Sequence, residues 1–147
     1  MKSIIDLWLT EQSGGTEEID SMLNSMLTGD KELFNDKLSK FVYSSFSYFD
    51  TTETEPEMVY HAFILGLLVH LQKDYYFNSN GESGNGRADI LIMPLAGNQK
   101  TSAVILEFKK TRDKEKLDEA RKRGATTIYI YGIGFYKKEL QVIMEKL

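Results

Sequence analysis

Two acidic side chains and a lysine lie at the ends of the most hydrophobic strands predicted in this sequence. Asp89 is at the start of the strand "ADILIMP", and Glu107 and Lys109 are at the end of the strand "SAVILEFKK". If these strands pair as a hairpin, Asp89 and Glu107 come close together at one edge of the sheet. A buried carboxylate is expensive to desolvate, and a bound cation relieves more of that free energy than a neighbouring lysine does.

Two carboxylates of this kind suit a hard divalent cation. The sequence has no cysteine and only two histidines, so Mg²⁺ or Mn²⁺ is the expected metal. Such an ion can polarise a phosphoryl oxygen, and Lys109 can orient the attacking water or offset charge on the phosphorane. The constellation therefore indicates a phosphodiesterase. The other interpretation is a salt bridge between Glu107 and Lys109, with Asp89 as a turn residue, and spacing alone does not decide between the two.

The first third of the chain is predicted to be helical. In "EEIDSMLNSMLTGD" the apolar residues recur with helical spacing, Gly29 can end the helix, and Asp30 can cap a second one. The polar stretch "DTTETEPE" is the predicted boundary between an N-terminal helical segment, residues 1–50, and a domain formed by residues 51–147. A helix at about residues 56–73, apolar nearly all round, should pack on the sheet of that domain.

After this helix the spacing of apolar residues changes to that of strands. The predicted strands are "YYFNSN", "ADILIMP", "SAVILEF" and "TTIYIYGIGF", and "KELQVIM" is a fifth strand or a helix. A charged helix at about residues 113–123 connects the third and fourth strands and stops at Gly124. So short a helix should leave part of one sheet face, including "IYIYGIGF", poorly covered, which predicts a homodimer or domain swap.

Composition and charge restrict the partners. The net charge of −4 argues against broad nonspecific attraction to nucleic acid, so such contacts need a local basic patch. Residues 109–123 supply eight basic side chains, but four acidic ones are interleaved, as in a solvated helix. The longest uninterrupted apolar stretch, Ala62–Val69, is shorter than the roughly 20 residues that cross a bilayer, and the N-terminus lacks the features of a signal peptide. We therefore expect a cytoplasmic protein without a membrane partner.

The order Asp89, then Glu107-Phe108-Lys109, resembles that of the PD-(D/E)xK nuclease superfamily. Longer stretches, "EPEMVYHAFILGLL", "SNGESGNGRADILIMP", "AVILEFKK" and "YGIGFYKKELQV", resemble the nuclease-type domain found at the C-terminus of many bacterial proteins that begin with an AAA-type ATPase-like domain. The resemblance covers about residues 55–147. This sequence contains no P-loop pattern, so an ATPase is expected only as a separate partner.

The resemblance implies a restriction-endonuclease-like α/β fold, in which helices flank a central mixed sheet. Here an N-terminal helical segment precedes that domain. The resemblance also implies that Asp89 and Glu107 are ligands of Mg²⁺ or Mn²⁺ and that Lys109 is the catalytic lysine. Glu57, on the helix before the first strand, matches the extra acidic position of the superfamily.

Three basic residues near these positions are expected to contact nucleic acid, with DNA as the leading interpretation: Arg87, Lys110 and Arg112. Glycines at positions 81, 84 and 86 would permit tight turns that bring the backbone near a phosphate. Arg87 stands two residues from Asp89 on the same face of the strand. A hairpin turn with a solvated Arg87 is the alternative.

The sequence departs from the family after Lys109. Members usually continue with a long helix carrying a glutamine that supports the site, whereas here "DKEKLDEARKRGATT" leads almost directly to the next strand. The leading prediction is a metal-dependent nuclease that hydrolyses DNA phosphodiester bonds. The alternative is a non-catalytic descendant that binds nucleic acid or protein, including one that works beside an ATPase partner.

Overall fold

The computed structural model describes residues 15–48, 66, 69–71, 73–79, 89–95, 101–108, 111–136 and 139–147. The chain divides into two units, Met1–Val69 with Phe135–Gln141 and His70–Gly134 with Val142–Leu147. The predicted domain boundary at residue 50 lies outside the described residues and stays a prediction. Most of the predicted apolar helix also lies outside them, although residues 66 and 69–71 are helical.

Two helices lie in the first unit, whose described residues also include positions 66, 69, 135–136 and 139–141. Helix α1 spans Gly15–Thr28 and helix α2 spans Lys31–Tyr48. Gly29 between them has a φ of 81°, a left-handed conformation that glycine adopts without steric penalty. Asp30 caps α2, because its Oδ1 accepts a hydrogen bond from the Leu33 N–H at 3.2 Å. Both predictions for this turn are confirmed. The apolar faces of the helices supply a buried core of Met22, Leu23, Met26, Phe34, Leu38 and Phe41.

Five strands form one mixed sheet in chain order. They are β1 (Tyr75–Asn78), β2 (Ile90–Pro94), β3 (Thr101–Glu107), β4 (Ala125–Tyr136) and β5 (Glu139–Lys146). Strands β1, β2 and β3 pair antiparallel, and β3 pairs parallel with β4. At the far edge, Ile128 and Leu147 exchange both backbone hydrogen bonds, and residues 139–144 of "KELQVIM" belong to strand β5. The α/β prediction is confirmed.

Helix α3, Lys114–Lys122, covers one face of the sheet within the short connection between β3 and β4. Leu117 and Ala120 are its apolar anchors, as the sequence predicts, and Gly124 follows the helix with a φ of 94°. The alternation of side chains along the strands points one set of apolar residues at the helix. The strand residues of that buried set are Leu91, Met93, Ala103, Ile105, Ile128 and Ile130, and they pack with Ala120 of α3.

The expectation that the aromatic strand is poorly covered is wrong for four of its residues. Ile128, Ile130, Tyr131 and Ile133 are between 0% and 4% exposed. Ile128 and Ile130 pack in the same core cluster as Ala120 of α3, so three helical turns suffice on that face. Tyr131 and Ile133 alternate with them and are buried on the opposite face. Within the described part of the chain, no helix combines the length and hydrophobicity that a membrane span requires.

A polar network ties α3 to the edge strand β1. The Glu119 carboxylate accepts hydrogen bonds from the Tyr76 hydroxyl at 2.5 Å and from the Asn78 amide. Arg123 Nε donates to the same carboxylate at 3.0 Å, and its guanidinium lies 3.6 Å from the Tyr76 ring centroid. Burial alone would raise the pKa of Glu119, but the hydrogen bonds from Tyr76, Asn78 and Arg123 outweigh it and the pKa is lowered. The ionised carboxylate therefore stabilises the fold.

This network predicts a pH dependence of stability. A carboxyl group with a lowered folded-state pKa stabilises the fold fully above its unfolded-state pKa, and that contribution disappears as the pH falls through the folded-state value. The free energy of unfolding should therefore fall more steeply below the ordinary glutamate pKa of 4.5 in the wild type than in Glu119→Gln. Urea unfolding, followed by circular dichroism at a series of pH values, measures both slopes. Asp118→Asn, an exposed neighbour on the same helix, should keep the wild-type slope, and equal slopes for wild type and Glu119→Gln would contradict the prediction.

Candidate functional site

The register of the sheet brings the two predicted carboxylates to one place. Strands β2 and β3 pair with Ile90 opposite Leu106 and Leu91 opposite Ile105, so the next pair along is Asp89 opposite Glu107. Because side chains alternate along a strand, both carboxylates lie on the face that α3 covers. Asp89 is 2% exposed and Glu107 is 8% exposed. Two acids thus face each other at the buried end of the hairpin.

Backbone hydrogen bonds hold each of these carboxylates. The Phe108 N–H donates to Asp89 Oδ1 at 2.8 Å, which fixes Asp89 against the end of β3. The Asp113 N–H donates to Glu107 Oε2 at 3.0 Å. Hydrogen bonds to the charged form of a carboxylate stabilise it against burial. Two backbone N–H groups therefore orient the two carboxylates.

The surroundings of the Glu107 side chain nevertheless disfavour its negative charge. Burial raises the pKa of Glu107 most, the Asp113 N–H and Arg112 lower it, and the carboxylates of Asp89 and Asp113 raise it again. The net effect is a raised pKa. A carboxyl group perturbed by burial and by crowded like charges is typical of functional sites, although structural ion pairs also produce it.

Asp113 is a third acid at this place, and the sequence analysis did not single it out. Its carboxylate caps α3, with Oδ1 accepting the Lys116 N–H at 3.1 Å, and its negative charge contributes to the raised pKa of Glu107. Burial alone would raise the pKa of Asp113, but the hydrogen bonds and the positive charge of Lys116 outweigh it and the pKa is lowered. Asp89, Glu107 and Asp113 together form what we call the acidic cluster.

Lys116 is the second residue that the sequence analysis missed. Its side chain is 4% exposed, and its Nζ lies 3.2 Å from Asp113 Oδ2. The signal available in the sequence was its spacing, because Lys116 stands four residues before the buried Ala120 and therefore on the same helical face. In a helix this rich in charge, that spacing alone does not show that Lys116 is buried.

Arg112 is the one predicted nucleic-acid contact within the described residues. Its Nε lies 3.3 Å from Glu107 Oε2, and its Nη2 contacts Glu145 at the end of β5. The Arg112 side chain is 36% exposed, so part of it is accessible to solvent. Arg112 is therefore joined directly to the acidic cluster. The other predicted site residues, Glu57, Arg87, Lys109 and Lys110, lie outside the described residues.

The acidic cluster fits a divalent cation held by two carboxylates. Among the residues that the structure describes, no group of three or more His, Cys, Asp or Glu has the geometry to hold a metal. Mg²⁺ is commonly bound by only one or two carboxylates and completes its coordination with waters and substrate phosphates. Asp89 and Glu107 therefore suit a hard cation.

Residues 55–138 match the PD-(D/E)XK nuclease superfamily, and the chain belongs to that superfamily. Its mixed five-stranded sheet with flanking helix is the restriction-endonuclease-like α/β fold. Nucleases of this superfamily typically use divalent metal ions. No curated protein shows significant similarity to the chain.

Proposed function

We propose that the protein is a metal-dependent nuclease that hydrolyses DNA phosphodiester bonds with Mg²⁺ or Mn²⁺. The proposal rests on the register of β2 and β3, whose extension by one residue brings two buried carboxylates, Asp89 just before β2 and Glu107 at the end of β3, opposite each other. Burial and the neighbouring acids raise the pKa of Glu107, and a divalent cation relieves that repulsion. Membership of the nuclease superfamily supports the same reaction class.

Asp89 and Glu107 would hold the ion, each already oriented by a backbone N–H. Bound there, the ion would supply the positive charge that polarises a phosphoryl oxygen and lowers the pKa of an attacking water. The proposed role of Lys109 is to orient that water or to offset charge in the transition state. Glu57 is the proposed additional acid, by its match to the superfamily pattern.

The proposed DNA contacts are Arg87, Lys110 and Arg112. Because the net charge of the chain is −4, attraction to a polyanion has to come from basic residues close to the cleavage site. Arg112 meets that requirement, since it contacts Glu107 and its side chain is 36% exposed. A cytoplasmic location and a bacterial source belong to the same proposal, and so does a separate ATPase partner.

The second candidate function is a non-catalytic module that binds nucleic acid or protein. The ion pair between Arg112 and Glu107 favours it, because a guanidinium 3.3 Å from Glu107 Oε2 already offsets the charge that a metal ion would neutralise. A homodimer stays a prediction, but burial of Ile128, Ile130, Tyr131 and Ile133 removes much of its original basis.

Incubation of the full chain with supercoiled plasmid DNA tests the proposal. We expect nicking with Mg²⁺ or Mn²⁺, no nicking with EDTA, and loss of at least about 99% of the rate in Asp89→Asn, since one such electrostatic group is worth 10²–10³ in rate. Asp36→Asn, an exposed acid on α2, should leave the rate unchanged. DNA binding without cleavage by the wild type would favour the non-catalytic module, and cleavage that survives EDTA would contradict the metal mechanism.

A further inference from the structure

Strand β5 carries an exposed isoleucine beside the candidate site. Ile143 is 63% exposed, although it lies within a strand of the sheet. A single exposed apolar residue needs no explanation by itself, because such residues are common on protein surfaces. The significance of Ile143 comes from its position relative to the carboxylates of the candidate site.

The register of the sheet places Ile143 in one cross-strand row with those carboxylates. Glu107 pairs with Gly132 across β3 and β4. Ile128 of β4 and Leu147 exchange both backbone hydrogen bonds, so β4 and β5 pair antiparallel. Four residues along each strand from that pair, Gly132 is opposite Ile143. The row therefore runs from the carboxylates through Gly132 to Ile143, on the face that α3 covers further along the strands.

The two sides of Glu107 along this row differ. On one side lies Asp89, which is 2% exposed, and α3 packs against β2 and β3 there. On the other side, Gly132 leaves the face of β4 without a side chain. Among the described residues, Ile143 supplies the only atoms within 4 Å of a β-carbon built at Gly132, at 3.0 and 3.4 Å. The site is therefore closed toward Asp89 and open toward Ile143.

A basic side chain adjoins the open side. Arg112 Nε lies 3.3 Å from Glu107 Oε2, and the Arg112 side chain is 36% exposed. The same guanidinium contacts Glu145, two residues after Ile143 and on the same face of β5, and offsets its charge. The surface beside the carboxylates thus combines a guanidinium with an aliphatic side chain. A nucleotide has the complementary composition, because an anionic phosphate is joined to a sugar and to a base with apolar faces.

We propose that Ile143 contacts the sugar or base of the DNA nucleotide whose phosphate binds beside Asp89 and Glu107. The inference rests on the proposed function, because it requires a DNA phosphate at these carboxylates. Ile143 is two strand spacings, about 10 Å, from Glu107, so a phosphate bound there leaves its sugar and base within reach. Aliphatic side chains contact bases in the same way in other DNA-binding proteins. Ile143 positions the substrate and takes no part in bond cleavage.

Steady-state cleavage of a labelled DNA duplex by the full chain with Mg²⁺ tests this role. We expect Ile143→Ala to raise KM about tenfold, the lower end of the effect of removing an apolar contact, and to leave kcat unchanged. Ile143→Val should recover part of the affinity. Leu95→Ala, 57% exposed and just after the opposite end of β2, should match the wild type. A wild-type KM in folded Ile143→Ala would overturn the inference, and so would a lower kcat at unchanged KM, which is the result of a purely structural role.

The absence of cysteine from the chain allows a second test, which needs no cleavage and decides the question if Ile143→Ala does not fold. Ile143→Cys and Leu95→Cys each introduce a single thiol, and N-ethylmaleimide alkylates it at a rate that is measured with and without excess duplex in Mg²⁺. We expect DNA to slow alkylation severalfold at position 143 and not at position 95. Equal rates at position 143 with and without DNA would contradict the proposed contact. Slower alkylation there at higher protein concentration without DNA would show that a second copy covers Ile143, and would also overturn the inference.

The two tests separate this inference from the proposed function. DNA that protects position 143 without being cleaved by the wild type would overturn the proposed hydrolysis and support the Ile143 contact. Cleavage by the wild type, with no effect of either change at position 143, would overturn this inference only. A wild type that neither binds nor cleaves DNA overturns both.

Discussion

Glu107→Gln should lower the rate of DNA cleavage by roughly a hundred- to thousandfold and leave the protein folded. Glutamine keeps an oxygen that can accept the Asp113 N–H, so the link between β3 and α3 survives. It lacks the negative charge that makes a carboxylate a stronger ligand for a divalent cation than a neutral amide oxygen. Because burial, ahead of the neighbouring acids, raises the pKa of Glu107, the ionised side chain opposes folding at neutral pH and its removal should not lower stability.

Plasmid nicking and thermal unfolding of the same samples measure both parts of this prediction. Glu145→Gln is the matched control, since Glu145 also pairs with Arg112 but is 52% exposed and stands at the end of β5. It should keep the wild-type cleavage rate. Wild-type cleavage by Glu107→Gln would show that the acidic cluster is not the catalytic site, and unfolding of that variant would show that the charge is structural.

Ile105→Ala should destabilise the protein by about 2–5 kcal/mol, the usual effect of emptying a well-packed aliphatic site. Ile105 is fully buried in the central strand β3, between Leu91 of β2 and Ile130 of β4, and belongs to the cluster that α3 covers. Truncation removes apolar contacts and leaves a cavity that the neighbouring strands, fixed by their hydrogen bonds, cannot close. Glu107 lies two residues further along β3, on the same face as Ile105. The cavity left by Ile105→Ala should therefore also make the position of the Glu107 carboxylate less well defined.

Urea unfolding followed by circular dichroism measures this effect. Ile143→Ala makes the same chemical change at a position on β5 that is 63% exposed, and it should change stability by no more than about 0.5 kcal/mol. Equal destabilisation by the two variants would contradict the packing that the structure shows for β3.

The strands and their pairing could be predicted because their determinants are local. Continuous runs of apolar residues, buried on both faces of the sheet, define β2 and β3, and the short loop between them sets a hairpin in which Asp89 must approach Glu107. Gly29 and Asp30 mark the turn between α1 and α2 in the same local way. "KELQVIM" was ambiguous between strand and helix, because its strand state depends on pairing beside β4 rather than on its own sequence.

The features of the site that could not be predicted from the sequence depend on contacts between different helices and strands. Lys116 resembles the solvated lysines around it, and only the approach of α3 to the sheet buries it beside Asp113. Arg112 was expected to face nucleic acid, but its pairing with Glu107 and Glu145 brings together the ends of β3 and β5, which no local pattern relates. Burial of Tyr131 likewise depends on what covers the second face of the sheet.

The backbone bonds to Asp89 and Glu107 have an evolutionary consequence. The Phe108 and Asp113 N–H groups need an oxygen acceptor at these positions whether or not the chain cleaves anything, because a buried N–H left without a partner destabilises the fold. Under selection for folding alone, the negative charges of these two side chains could be lost, whereas the oxygen atoms that accept the backbone hydrogen bonds would be kept. Descendants that had lost catalysis would drift toward Asp89→Asn and Glu107→Gln rather than toward alanine, and their sequences would still look like those of active enzymes.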